Sequence, residues 1–391
     1  MRDLAPGPAP RPFGYFVHHQ GRGHAERCAA VLRALDRLGT GREIRVFSAR
    51  DDIFPDLPPG TRVTRIPSLF EPEGPTPPGM EGLPTPETVH CAPLGWPGIR
   101  RAMATMTRWF ATADPALMIS DVSAEIAQLA RLCSVPHVKV LQHGDRGDPG
   151  HRAAYDGAAG LLAPFDRALA QPDWSAEMTE KTFFAGGLGV DLDLPGRATA
   201  RRRLGLPPTG RVALVISGGG GDGMSEAPLG VAARTFPGIR WITAGAVRRD
   251  WHATLPGNLE HAGWVDDMAD RIAAADLVVA STGNTTTAQV LAAGRPWIAV
   301  PEWRYFDEQV EKARALARAG VALHLDHLPS SAHRWREAVE TALARHDPAR
   351  QRALVRRDAA RSTARWLDGL ARRLWAPAPH PDQTTEEMSD A

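Results

Sequence analysis

The sequence predicts an α/β protein made of two domains, each built on a doubly wound parallel β-sheet. Both halves of the chain alternate short apolar runs with helical patterns, as chains do when their parallel strands are joined by helices. The chain has 391 residues, which exceeds the usual size of one domain. A glycine-rich turn follows the first predicted strand of each half. These three observations together predict two similar sheets, one after the other along the chain.

The apolar runs place the strands of both sheets. In the first half, strands are predicted at residues 13–19, 43–48, 62–66, 116–120, 137–142, 160–163 and 181–185. Helical patterns fill most of the gaps, for example at 24–38 and 123–132. In the second half, strands are predicted at 211–217, 240–244, 277–280 and 297–300, with a weaker one at 321–323.

Composition shifts divide the chain into segments. The predicted segments are a flexible N-terminus at 1–12, a first domain at 13–187, a linker at 188–208, a second domain at 209–347, a helix at 348–375 and a disordered tail at 376–391. We expect the helix at 348–375 to pack back onto the first domain. A loop rich in proline and glycine at 70–97 interrupts the first domain, and its length indicates a functional or disordered segment.

Charge and cysteine content exclude several classes of protein. The formal net charge is +1, so no overall positive field attracts nucleic acid. Three scattered cysteines without CxxC spacing argue against a disulfide framework or a zinc site. The sequence shows neither a signal peptide nor an apolar run that would cross a bilayer. We expect a cytoplasmic protein.

The first glycine turn contains Gly21, Arg22 and Gly23, followed by His24. It does not complete a dinucleotide-binding GxGxxG, because position 26 is glutamate. His24 stands at the start of a predicted helix, at the carboxyl edge of the first strand. A histidine there can accept a proton from a hydroxyl near neutral pH. The alternative is a helix-capping or surface histidine.

Asp121 directly follows the predicted strand at 116–120. Its carboxylate either caps the next helix or holds the His24 imidazole in one tautomer, as in a histidine–carboxylate dyad. His18, His19 and His143 also lie at strand ends on this edge. Each is predicted to be structural or to line a substrate site.

The second glycine turn comprises Ser217, Gly218, Gly219, Gly220 and Gly221. Consecutive glycines after a strand allow backbone N–H groups to turn inward and bind an anion. No GK[ST] follows, so the turn is not a Walker P-loop. The motif is typical of a diphosphate-binding loop, with a flexible glycine loop as the alternative.

The most informative segment runs from Asp276 to Gln309. It predicts a buried strand, a tight turn at Ser281–Asn284, a helix from Thr285 to Ala293 and another strand. The free N–H groups of the helix start favour an anion at the place where doubly wound sheets bind ligands. A DxD at Asp191–Asp193 would suit a divalent metal, but it lies in the predicted linker, so no metal site is expected.

Together these motifs resemble glycosyltransferase family 28, a family of GT-B fold glycosyltransferases that includes the enzyme adding N-acetylglucosamine to the lipid intermediate of peptidoglycan. The family has a glycine turn with histidine, a glycine-rich diphosphate loop and the pattern G-x-x-T-x-x-E-x-x-x-x-G-x-P-x-x-x-x-P followed by glutamine. The last pattern corresponds here to Gly283, Thr286, Gln289, Gly294, Pro296, Pro301 and Gln309.

The resemblance implies an inverting transfer of a sugar from a nucleoside-diphosphate sugar, with UDP as the default nucleotide, to an acceptor hydroxyl. His24 would act as general base beside Asp121, without an obligatory metal or other cofactor. The donor-binding residues carried over are Ser217, Gly218, Gly219, Gly220, Trp264, Val265, Gly283, Asn284, Thr285, Thr286, Gln289, Glu308 and Gln309. Those on the acceptor or sugar side are Gly21, Arg22, Gly23 and His143.

Two positions depart from the family pattern. Gln289 replaces the glutamate that binds the ribose, and Glu308 stands where glutamine is usual. Both changes leave the base and the sugar of the donor open.

The resemblance also implies an acceptor, either a small molecule, a glycan or a lipid, and we expect the first domain to bind it, including the loop at 70–97. The stretch 96–110 mixes apolar and arginine residues; an amphipathic core helix is favoured over a peripheral membrane contact.

Two enzymatic alternatives keep the fold. The run GHAERC at 23–28 also resembles the GHxxRC turn of UDP-sugar hydrolases, in which the histidine activates water. A sugar-nucleotide 2-epimerase is less favoured, because its paired acidic residues have no counterpart here. From another class, a non-catalytic binding protein would retain the fold without activity.

Overall fold

Two parallel β-sheets, one in each half of the chain, form the framework of the protein in a computed structural model. The structure describes residues 10–20, 22–218, 221, 223–249 and 254–377. The predicted α/β fold with doubly wound parallel sheets is confirmed. Of the sequence-predicted site residues, Gly21, Gly219 and Gly220 lie outside the described residues.

The first sheet has seven parallel strands in the order β3-β2-β1-β4-β5-β6-β7. Their bounds are β1 Phe13–Phe16, β2 Ile44–Ser48, β3 Thr61–Arg65, β4 Leu117–Asp121, β5 His137–Val140, β6 Gly160–Ala163 and β7 Thr182–Phe184. Strands β1, β4, β5 and β6 are buried along their whole length, as expected when helices cover both faces of a parallel sheet.

The second sheet has six parallel strands in the order β12-β10-β8-β13-β14-β15, beside a two-stranded sheet of β9 and β11. Their bounds are β8 Arg211–Ile216, β9 Met224–Ser225, β10 Ile239–Ala244, β11 Val247–Arg248, β12 Leu259–His261, β13 Leu277–Ala280, β14 Trp297–Ala299 and β15 Leu323–His324. The order reverses direction between β8 and β13, which places a ligand crevice at the carboxyl ends of these two strands.

Helices connect the strands and cover the sheets. Their bounds are α1 Arg22–Arg37, α2 Pro78–Glu81, α3 Pro97–Ala113, α4 Ala124–Leu132, α5 Pro149–Asp156, α6 Ala176–Glu180, α7 Arg197–Arg203, α8 Glu226–Thr235, α9 Met268–Ala274, α10 Asn284–Ala293, α11 Glu308–Arg318, α12 Ala332–Ala344, α13 Pro348–Ala353 and α14 Ala359–Leu374, with 3₁₀ turns at Arg167–Leu169 and Tyr305–Asp307. No described helix combines the length and the apolar character that a membrane span needs.

The last helix, α14, packs on the first domain, against α1. Asp368 accepts a hydrogen bond from Arg42 Nε at 2.9 Å, and the Trp366 ring stacks on Phe183. By contrast α13 packs on α10 of the second domain. The end of the chain therefore crosses from the second domain to the first.

Two local expectations are corrected. The segment predicted as a linker at 188–208 contains helix α7, which packs on α9, where the buried Arg201 pairs with Asp276 at 2.6 Å. Asp121 is not the N-cap of α4, because the Ser123 hydroxyl accepts the hydrogen bond from Ile126 N. The Asp121 side chain is thereby left for another partner.

Candidate active site

His24, Arg27 and Asp121 form one buried cluster at the carboxyl edge of the first sheet. Strands β1 and β4 are neighbours in this sheet, with Phe16 in register with Ser120, so the residues that follow them meet. His24 lies in the first turn of α1 after β1, and Asp121 ends β4. The His24 Nδ1 atom is 3.1 Å from Asp121 Oδ1. The histidine–carboxylate contact considered from the sequence is thus present.

Arg27 binds the same carboxylate with two parallel hydrogen bonds. Its Nε donates to Asp121 Oδ2 at 3.0 Å, and its Nη2 donates to Oδ1 at 2.9 Å. Both side chains are almost fully buried, and such bidentate pairs are among the strongest polar contacts. Burial alone would raise the pKa of Asp121, but Arg27 and His24 outweigh it and hold the pKa well below its usual range. Asp121 is an anion at neutral pH.

The tautomer of His24 depends on two neighbours of its Nδ1 atom. Asp121 stabilises the tautomer with the proton on Nδ1, which leaves a lone pair on Nε2. Arg27 Nη2 lies 2.9 Å from the same nitrogen and stabilises the opposite tautomer. No described residue hydrogen-bonds to Nε2, and 17% of the His24 side chain is exposed. Nε2 is therefore the atom that a ligand in the cleft can reach.

The turn that presents Asp121 is strained and braced. Val122 has a φ of 83°, which is a rare conformation for a β-branched residue and costs about 1–3 kcal/mol. Ser120 Oγ donates to Ser123 O at 2.6 Å, and Lys139 Nζ donates to Val122 O at 2.7 Å. Strain that is held by such specific contacts is typical of functional sites.

The N-terminus of α10 faces this cluster across the cleft between the domains. Gly283 is the N-cap of α10, and Asn284 is its first residue. A Cβ atom built on Gly23 would lie 3.9 Å from Thr285 Oγ1. The helix end predicted to bind a diphosphate therefore lies next to the turn that carries His24. Thr285 is exposed and Thr286 is half-buried.

The glycine turn after β8 lies on the other side of this helix end. Ser217 is buried, and its hydroxyl accepts a hydrogen bond from Met224 N at 3.1 Å. A Cβ on Gly218 would lie 3.5 Å from both Ser281 Oγ and Glu302 Oε2. Gly218 thus lies where the ends of β8, β13 and β14 meet.

Glu308 and Gln309 begin α11 at the bottom of the cleft. Gln309 Oε1 accepts hydrogen bonds from Thr282 N at 3.2 Å and Glu302 N at 2.9 Å, which fixes its amide group. Glu308 faces the first domain: Gln142 Nε2 donates to Glu308 Oε2 at 3.4 Å, and Arg146 lies 3.7 Å from it. Residues predicted to contact the donor sugar therefore touch the first domain as well.

The remaining predicted site residues differ in exposure. Gln289 is half-buried on α10, and Val265 is half-buried in the loop before α9. The Trp264 side chain is 71% exposed in the same loop. Arg22 is exposed, and its Nη2 lies 4.0 Å from Glu26 Oε1 on its own helix.

His143 does not line the cleft, so its assignment to the acceptor or sugar side is corrected. The side chain is completely buried, stacks near Phe165 and pairs its Nε2 with Leu169 O at 2.7 Å. Burial, reinforced by Lys312, lowers its pKa well below the usual value. His143 is a core histidine that stays neutral in the folded protein.

This buried histidine predicts a pH dependence of stability. His143 becomes protonated near pH 6.5 in the unfolded chain but stays neutral in the folded protein. Its contribution to the free energy of unfolding is therefore complete above that pH and is lost as the pH falls. We expect a slope of about 1.4 kcal/mol per pH unit below about pH 6.5 that His143→Gln removes. Urea unfolding between about pH 7.5 and pH 5 measures it. The exposed His333→Gln serves as the control, and equal slopes in wild type and His143→Gln would contradict the assignment.

One cluster in the described residues has the composition of a metal site. His90, Asp148 and His151 bring three potential ligand atoms within 4.8 Å of one another. However, His151 Nδ1 is only 2.5 Å from Asp148 Oδ2, and its Nε2 is 3.2 Å from Arg146 Nη1. The guanidinium opposes a cation there. The cluster instead packs around Phe306 of the second domain.

Two buried cations were not predicted as site residues. Arg27 belongs to the GHAERC run, and Lys312 lies outside the motifs that predict the site. Lys312 is 2% exposed, and its Nζ donates to Asn284 Oδ1 at 2.5 Å. A usable signal existed: Lys312 is one of only three lysines in an arginine-rich chain, and it follows Gln309 by three residues.

Comparisons with known proteins agree with this architecture. Residues 247–362 match the model of the glycosyltransferase family 28 C-terminal domain. The UDP-N-acetylglucosamine--N-acetylmuramyl-(pentapeptide) pyrophosphoryl-undecaprenol N-acetylglucosamine transferase of Solidesulfovibrio magneticus is 31% identical over 203 residues, 46% of this chain and 54% of that protein. The protein of the same name from Acidiphilium cryptum is 28% identical over 71% of this chain and 68% of its own length.

Among solved structures, the glycotransferase of kitacinnamycin superposes with a TM-score of 0.63 and 18% identity, over 93% of this chain and all of that one. The match to the Solidesulfovibrio protein spans only about half of that protein's length. The fold is shared along nearly the whole chain, while the family model matches residues 247–362. The chain therefore has the GT-B fold, and its second half carries a glycosyltransferase family 28 C-terminal domain.

Proposed function

We propose that this protein is a glycosyltransferase that moves a sugar from a nucleoside-diphosphate sugar to an acceptor hydroxyl with inversion of configuration. One observation carries the proposal. The His24–Asp121 pair and the N-terminus of α10 face each other across the cleft, with Gly23 next to Thr285. A base and an anion-binding helix end lie on opposite sides of the space where a donor would be attacked.

The donor diphosphate would rest between the turn after β8 and the start of α10. The first-turn N–H groups of α10 have no acceptor within the helix, and the helix dipole places partial positive charge there. The same groups stabilise the charge that develops on the departing nucleoside diphosphate. Ser217, Gly218, Gly283 and Thr286 supply this surface, without a required metal.

The chemical step needs one base. His24 Nε2 takes the proton of the acceptor hydroxyl while the acceptor oxygen forms a bond to the anomeric carbon. The bond from that carbon to the β-phosphate oxygen breaks, and the nucleoside diphosphate leaves with the bonding electrons. Before this proton transfer, Asp121 keeps a proton on His24 Nδ1. After the transfer, its negative charge stabilises the His24 imidazolium. The proton and the electron pair are thereby accounted for.

The donor side supports UDP as the first nucleotide to test. The two relatives named above use a UDP-sugar according to their names, and Gln289 and Glu308 would contact ribose and sugar, respectively. An amide at position 289 still accepts a ribose hydrogen bond, but more weakly than a carboxylate. The acceptor would bind to the first domain, in the part that includes the loop at 70–97.

A panel of nucleotides tests the donor site before any acceptor is known. We expect one nucleoside diphosphate among UDP, GDP, dTDP and ADP to raise the unfolding free energy by about 2.7 kcal/mol at 100 times its dissociation constant. Thermal shift and calorimetric titration measure this, with NAD and CoA as controls that also contain a diphosphate. A folded protein that binds none of the four would contradict the proposal and favour a non-catalytic protein.

A nucleotide-sugar hydrolase is the second candidate, and Arg27 is the specific observation in its favour. Within the GHAERC run, Arg27 is buried and clamps Asp121 beside His24, as a water-activating site would also require. The two functions differ in what accepts the sugar. Rapid donor consumption without any added hydroxyl acceptor would establish the hydrolase, whereas strict dependence on an acceptor would exclude it.

A further inference from the structure

We propose that Lys312 is a catalytic residue of this donor site, whose ammonium group contacts the diphosphate and stabilises the charge on the leaving nucleoside diphosphate. The inference rests on the proposed function, because it assigns a further residue to the same site.

Lys312 lies close to the proposed diphosphate site. Its side chain extends from α11 to the start of α10, where Nζ donates to Asn284 Oδ1 at 2.5 Å. Asn284 is the first residue of the helix whose free N–H groups would bind the diphosphate. The ammonium and these N–H groups therefore lie at the same helix end. A phosphate oxygen bound there comes within reach of both.

The charge around Lys312 is not balanced by the protein. The nearest carboxylate oxygen among described salt bridges, Glu308 Oε1, is 3.8 Å away, and Glu308 is shared with Arg146 at 3.7 Å. Both oxygens of Asp121 are already bound by Arg27. Lys312 and Arg146 thus share the Glu308 carboxylate, while Arg27 occupies Asp121.

The ionisation of Lys312 reflects this imbalance. Burial lowers its pKa to about 8; Glu308 partly opposes this, and Arg27 and Arg146 lower it further. An incoming diphosphate supplies the missing negative charge and favours the ammonium form. A buried cation with incomplete pairing is costly in a protein without a ligand.

Ser281 is an independent observation at the same place. It is completely buried, and its hydroxyl has no hydrogen-bond partner among the described residues. It lies in the turn between β13 and α10, facing Gly218. Buried hydroxyls normally have a partner, so an unpaired one here indicates that a polar ligand group completes the site.

The test is Lys312→Met, which keeps the length and apolar stem of the side chain and removes the charge. The probes are the nucleoside diphosphate that binds best among UDP, GDP, dTDP and ADP, and the corresponding nucleoside. We expect about 10- to 100-fold weaker binding of the diphosphate and unchanged binding of the nucleoside. Lys312→Arg should retain most of the affinity, because it keeps the positive charge.

Lys181→Met is the matched control, since Lys181 lies far from this site along the first domain and its Nζ donates to the Asp156 carbonyl near the surface. Equal diphosphate affinity in wild type and Lys312→Met would overturn the inference. Equal losses for diphosphate and nucleoside would also overturn it, because Lys312 would then only support the fold. If Lys312→Met does not fold, Lys312→Gln answers the same question, because it keeps a donor to Asn284 without the charge. Wild type that binds no nucleoside diphosphate would instead refute the proposed donor site.

Discussion

Replacing His24 with asparagine is expected to lower kcat by about 10²- to 10⁴-fold, the usual contribution of a positioned general base. The hydrogen bonds of His24 among the described residues are made by Nδ1, and 17% of the side chain is exposed, so Nε2 is the nitrogen left for a ligand. Asparagine has no group that takes up a proton near neutral pH, so the acceptor hydroxyl would have to attack while still protonated. Release of nucleoside diphosphate from the donor, with a panel of hydroxyl acceptors, measures the rate.

Binding separates this role from a structural one. We expect His24→Asn to bind the nucleoside diphosphate as tightly as wild type, because the diphosphate contacts lie on α10 and the turn after β8. The exposed His333→Asn on α12 should change neither rate nor binding. An undiminished kcat in a folded His24→Asn protein would remove His24 as the base and favour a role in packing alone.

Replacing Asp121 with asparagine is expected to destabilise the protein by about 3–5 kcal/mol, because it leaves the buried Arg27 without a carboxylate. Arg27 is 2% exposed, and it donates two hydrogen bonds to the Asp121 carboxylate. The free energy of unfolding in urea measures the loss. The exposed Asp52→Asn is the control and should have little effect.

A double variant distinguishes the stabilising role of this pair from its role in catalysis. Replacing Arg27 with methionine and Asp121 with leucine removes both charges together, so we expect most of the stability to return. Activity should stay low, since His24 then lacks the carboxylate that orients it. A stable double variant with wild-type kcat would show that Asp121 serves only to neutralise Arg27.

Local sequence patterns predicted the framework because they depend on short-range physics. The predicted strands at 160–163 and 277–280 match β6 and β13 residue for residue. A short continuous apolar run is typical of a strand that helices cover on both faces of a parallel sheet. Gly294 ends α10 in the left-handed conformation that favours glycine. Other strand ends differ from the prediction. The strand predicted at 13–19 ends at Phe16, because the polar residues His18 and His19 lie beyond the edge of the sheet.

The side-chain partners were harder to predict, because they come from distant parts of the chain. The sequence also suits Asp121 to capping α4, whereas in the structure Ser123 is the N-cap of α4. His143 shares the strand-end position of a site residue, but Phe165 and the Leu169 carbonyl enclose it. Only the packing of later segments separates a core histidine from one that lines a cleft.

The sequence by itself determined the α/β class, the three glycine-containing turns and the histidine at the start of α1, because these follow from periodicity and turn chemistry within a few residues. The tertiary structure alone decided which charges meet. Strands β1 and β4 are adjacent although about a hundred residues separate them, so His24 and Arg27 reach Asp121. Lys312 joins the helix end of α10 only because α11 packs beside it. The interaction energy of two charges depends on their distance in space, and local sequence patterns do not encode that distance.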